Sequence, residues 1–137
     1  MKTVLTRIAA ILAFIIGGMA IFAGGKVLLG SDPGYHVINW LSLYNYTIGI
    51  LTVFVTAVLI WTNSRLALPV VIATFSFHAV VMVALQTLYR DIVASESIQA
   101  MTLRLIVWAI ILALMFAASR MRMAAERTVS KGMVRHS

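Results

Sequence analysis

The sequence predicts an all-α fold: a polytopic membrane protein built as a four-transmembrane-helix bundle. Apolar residues fall in four blocks of about twenty, spanning about 4–24, 43–61, 66–88 and 101–119. About twenty helical residues cross a hydrocarbon core of roughly 30 Å, and each backbone polar group in such a helix bonds within its own segment. Composition agrees, with 62% hydrophobic and 11% charged residues and a mean hydropathy of +1.01. Soluble domains run about 45–50% apolar and about 25% charged. The third observation is where the charge lies, because the basic residues gather at the ends of the blocks and in the last eighteen residues. Residues 1–119 therefore read as one transmembrane domain and 120–137 as a basic cytoplasmic tail. The formal charge of +7 belongs to membrane orientation, and no nucleic-acid partner is expected.

The first block follows Lys2 and Arg7, as a signal peptide would. It is too long for a typical signal core, and Ile21, two residues before Ala23, makes a poor cleavage site, so the block is expected to stay as the first helix. Ala10, Ala13, Gly17, Ala20 and Gly24 alternate three and four apart and form one stripe of small residues along it. Such stripes let helix backbones approach closely, a main source of association in lipid. The following loop carries a turn at Ser31-Asp32-Pro33-Gly34 and then Tyr35, His36, Trp40, Tyr44 and Tyr46. Aromatic residues of this kind suit the membrane interface, so part of this loop is expected to lie along the outer surface as a short interfacial segment.

In the second block Asn45, Gly49, Thr52 and Thr56 are four, three and four apart, which makes a polar stripe. It reads as interhelical glue, or alternatively as a polar lining for a small ligand. Only Thr62, Asn63, Ser64 and Arg65 join the second and third blocks, so these helices are expected to be antiparallel neighbours. Pro69 falls near the start of the third helix, where a missing N–H does least harm. The fourth block repeats the small stripe with Ala109, Ala113 and Ala117. Beyond it, Arg120, Arg122, Arg127, Lys131 and Arg135 suit a helix running along anionic headgroups or docking on a protein.

Orientation follows from loop charge. Eight of the eleven Lys and Arg residues lie on the side of the two termini, and the three on the opposite side, Lys26, Arg90 and Arg104, are balanced by Asp32, Asp91 and Glu96. The positive-inside bias therefore predicts N-in and C-in topology, with both termini in the cytoplasm. So lopsided a distribution argues against a dual-topology channel or exporter. No carboxylate lies within any of the four blocks, which argues against proton-coupled transport by an intramembrane acid. The absence of cysteine removes disulfide exchange, thiolate nucleophiles and Cys-ligated clusters.

Chemistry, if any, must come from the few polar residues inside the blocks. His78 sits at the middle of the third block, with Thr74 one turn away on its face. A neutral imidazole in hydrocarbon needs a hydrogen-bond partner, and the Thr52 and Thr56 face of the second helix is one candidate. His78, Asn45, Thr52, Thr56 and Thr74 are thus the candidate ligand- or quinone-contacting residues. A bis-histidine haem is disfavoured because His36 and His136 lie outside the blocks, and no metal-ligand set shares one membrane layer. Arg7 and Arg104 each lie about a turn inside their blocks, where long cationic side chains reach back to headgroups. Arg104 has a second option, a structural polar cluster with Glu96 and Gln86 that would lock the outer ends of the third and fourth helices.

Arg7, the pair Gly17 and Gly18, the run Gly24-Gly25-Lys26 and three further spans in a chain of 137 residues resemble the DoxX-like family of small four-helix bacterial membrane proteins. The resemblance implies a membrane component linked to redox or quinone metabolism, some relatives acting beside sulfur-oxidising subunits. Without an evident catalytic site, the leading expectation is an accessory or partner-binding subunit rather than an enzyme, with no cofactor. Its partners would be the lipid bilayer and a membrane protein or a second copy of itself. The alternative is a small quinone-linked redox component that uses His78 and the polar face of the second helix.

Overall fold

The computed structural model describes residues 2–136. Four helices long and apolar enough to cross a membrane account for nearly all of them: α1 (Lys2–Leu28), α2 (Asn39–Trp61), α3 (Ala67–Thr87) and α4 (Ser95–Arg135). They are arranged as a ring in chain order, with α1 and α3 on one diagonal and α2 and α4 on the other. The four-helix bundle thus takes an up-down-up-down path.

The connections explain where helices stop. Gly30, at φ +93°, ends α1. Its N–H donates to the Val27 carbonyl and that of Ser31 to Lys26, a paired cap that needs a left-handed residue between. Asn63, at φ 55°, closes α2 in the same way, with Asn63 N–H donating to Ile60 and Ser64 N–H to Leu59. Asp32 Oδ1 accepts from Gly34 N–H at 2.8 Å, which fixes the turn expected there.

Two boundaries differ from expectation. The 29–38 segment contains no interfacial helix, because α2 starts at Asn39 and takes in Trp40, Tyr44 and Tyr46 as its own first turns. The last helix starts at Ser95 and runs without interruption for 41 residues, about 61 Å at 1.5 Å per residue. The basic residues 120–135 continue this helix and are almost wholly exposed.

Close packing is concentrated on α1. Its stripe of Ala10, Ala13, Gly17, Ala20 and Gly24 is buried throughout, while Ile11, Phe14, Ile15, Met19 and Phe22 face outward. Gly17 lies against Thr52 and Val53 of α2, Gly24 against the Ser42 and Tyr46 backbone, and Gly49 of α2 against the Gly17 and Ile21 backbone. Midway, α2 opens into a π-helical turn over Thr52–Thr56, where Ala57 N–H donates five residues back to the Thr52 carbonyl. Four of these five residues are β-branched, which crowds an α-helical turn.

The small stripe expected on α4 is a correction: Ala109 and Ala113 are exposed. The buried face of α4 is instead Met101, Arg104, Trp108, Ile111, Met115 and Ala118. The inward face thus carries mostly large side chains, with Ala118 as its one small residue. Between α2 and α3 the backbones draw together only along the second half of α2. Toward the 29–38 loop they diverge, and aromatic pairs bridge them, Trp40 with Tyr89 at 5.5 Å between ring centroids and Tyr44 with His78 at 5.8 Å.

Candidate functional site: a polar layer within the bundle

The apolar core is split in two. One cluster, on the side of the termini, gathers Ala9, Ala13, Ile16, Ile60, Val71 and Ile111. The other, on the loop side, gathers Ile38, Leu41, Val81, Leu85 and Met101. Helical spacing leads from one cluster to the other through polar residues: Met101, Arg104 and Trp108 on α4, and Val81, His78 and Thr74 on α3. His78 and Arg104 each lie nine residues from the loop-side end of their helices, about 14 Å along the axis. They therefore share one layer.

Two bonds organise that layer. Tyr44 and Asn45 are sequence neighbours, so their side chains leave α2 about 100° apart. Tyr44 Oη and His78 Nδ1 share a hydrogen bond of 2.5 Å. Arg104 Nη1 donates to Asn45 Oδ1 across the bundle diagonal, also at 2.5 Å. The imidazole of His78, only 2% exposed, stands edge-on to Tyr44 and 6.0 Å from the Trp108 ring. Three helices thus meet through one set of side chains.

Several expected groupings do not form. His78 takes Tyr44 as its partner and not the Thr52 or Thr56 hydroxyl, because those threonines are buried on the side of α2 that meets α1, with the Thr52 methyl against Gly17. Thr74 Oγ1 donates to the Val70 carbonyl of its own helix at 2.9 Å. Asn45 leaves the rest of its stripe to reach Arg104. The cluster of Arg104, Glu96 and Gln86 is also a correction: Glu96 is exposed and accepts from Ser95 Oγ, and Gln86 is exposed at the end of α3. The early start of α4 places Arg104 more than two turns inside the helix, where it is 6% exposed and does not reach back to the surface. Arg7, in contrast, is exposed, and its guanidinium lies over the Trp61 ring at 5.2 Å.

Sequence reasoning missed Tyr44 and Trp108 as members of this layer. The available signals were the four-residue step from Arg104 to Trp108 and the placement of Tyr44 directly before Asn45.

The bond at His78 has a direct test. His78→Gln keeps a polar group within reach of the Tyr44 hydroxyl and is expected to lower stability by less than about 1 kcal/mol. His78→Leu leaves that half-buried hydroxyl without its partner and is expected to cost more, about 1–3 kcal/mol. Thermal unfolding of the two variants in the same detergent checks the order, and equal losses would remove Tyr44–His78 as a structural bond.

No family model, curated protein or solved structure matches this chain.

Proposed function

We propose that this protein is a non-catalytic accessory subunit of a bacterial inner membrane, oriented N-in and C-in, that docks a partner membrane protein. The observation that carries this reading is the extension of α4. Arg122 still borders Thr6, Asn63 and Arg65, and beyond it residues 123–135 are exposed, with Arg127, Lys131 and Arg135 at helical spacing on one side. An exposed helical extension with a basic side suits a docking element. The outward stripe Ala109, Ala113 and Ala117 continues down the same helix and offers a partner's helix close approach within the lipid. The likeness of the first span to the DoxX-like family agrees with an accessory role.

A quinone-linked role draws less support, because His78 faces Tyr44 and Trp108 while Thr52 faces α1. The two halves of that site do not converge.

Docking is tested by placing a photo-crosslinking residue at Val129 or Met133 in native membranes. The expected result is one protein adduct of defined mass that disappears when Arg127 and Lys131 are changed to Glu. Lipid adducts alone would refute partner docking. Orientation is tested separately, by a periplasm-dependent reporter fused after Ser137. It is expected to be silent, and strong activity would reverse the topology.

A further inference from the structure

The Arg104 guanidinium is buried within the bundle, yet its bond partner is the neutral amide of Asn45 and, among the described residues, no carboxylate pairs with it. An uncompensated charge in a low-dielectric interior costs several kcal/mol, so such groups are paired or neutralised. Beside it lies a small cavity of about 50 Å³, lined by Tyr35, Ser42, Asn45, Ser97, Met101 and Arg104. Ser42 borders this space, is 2% exposed, and its hydroxyl has no hydrogen-bond partner. Buried hydroxyls are normally satisfied.

A buried cation and a residue with an unpartnered hydroxyl therefore border one cavity. We propose that the cavity is a binding site for a small monovalent anion, a halide or a carboxylate of formate size, held by Arg104 and Ser42. The size suits that class. A single water needs roughly 10–15 Å³ of such space, so the cavity takes an ion of a few atoms but no phosphate ester with its substituent. Ser97 stands in the first turn of α4, where the helix dipole also favours negative charge. The nearby acids do not compete: Glu96 is exposed and bonded to Ser95, and Asp32 is exposed and caps the Gly34 turn. Lys26, the other cation at this end of α1, is exposed and lies over the Phe22 ring, outside the cavity. The site is independent of the α4 extension and of any partner docked there.

The test uses the full chain in detergent, exchanged into sodium gluconate, whose anion is too large to enter. Titration with chloride is followed by ³⁵Cl NMR line broadening, and formate is added as competitor. Thermal unfolding at constant ionic strength gives a second readout. The expected result is a saturable chloride signal that formate abolishes, with a matching rise in melting temperature. Ser42→Ala, a small change that leaves the charge in place, is expected to weaken binding about tenfold, and Arg104→Gln to abolish it. If Arg104→Gln fails to fold, Ser42→Ala decides the matter. No chloride signal above gluconate, or one that Ser42→Ala leaves unchanged, overturns the proposal.

Discussion

Gly49→Leu is expected to unfold this protein in mild detergent at temperatures where the parent chain remains intact. A Cβ at Gly49 would stand 2.8 Å from both the Gly17 carbonyl oxygen and the Ile21 amide nitrogen, and both are backbone atoms of a helix that cannot rotate away. Overpacking a core usually costs about 1–3 kcal/mol, and contact with rigid backbone puts this site at the upper end or beyond. Gly17→Leu meets the Thr52 and Val53 side chains at 2.9 Å, which can shift, so a smaller loss is expected. Two controls sharpen the comparison. Phe14, 58% exposed on the outward face, is expected to tolerate leucine. A methyl group at Gly18 would meet nothing within 4 Å, so Gly18→Ala is expected to be neutral or slightly stabilising through helix propensity. Melting temperatures of the four variants, read by size-exclusion chromatography after heating, should rank in that order. A Gly49→Leu protein as stable as Phe14→Leu would disprove the close contact of α1 and α2.

The second large effect is expected at Asn45. Asn45→Leu leaves the Arg104 guanidinium buried without its amide acceptor, and we expect a loss of about 2–4 kcal/mol. Arg104→Met removes the donor and the charge together and is expected to cost less. The double variant Asn45→Leu/Arg104→Met should recover most of the Asn45→Leu loss, because no buried charge remains to be satisfied. A double-mutant cycle from equilibrium unfolding in mixed micelles measures this coupling. Strictly additive losses would mean that the two side chains do not depend on each other across the bundle.

Much of this architecture was legible in the chain. The four spans follow from hydropathy because lipid forces every crossing segment into a helix, and the α1 stripe follows because Gly and Ala at three- and four-residue steps have few other uses in a membrane. The same reasoning failed at Ala109 and Ala113, since in a mostly apolar helix a stripe of alanines reads alike whether it faces protein or lipid. What decided the inward face of α4 was Arg104 and Trp108. Their burial depends on where the helix begins, and the polar run at 95–100 does not mark that point. Likewise, the sequence offers several hydroxyls to His78. The choice of Tyr44 depends on how far apart the first half of α2 and the second half of α3 stand, a distance no single helix determines.

The unbroken run of α4 makes it a mechanical lever. The same rod that holds Arg104 and Trp108 in the bundle ends at Arg135, and its 120–135 arm is about 24 Å long at 1.5 Å per residue. A 10° change in the tilt of the embedded part therefore sweeps the far end through about 4 Å, with no hinge in between to absorb it. Small adjustments where α4 meets α1 and α3 are thereby magnified along the arm, and a load applied to the arm is felt at the polar layer.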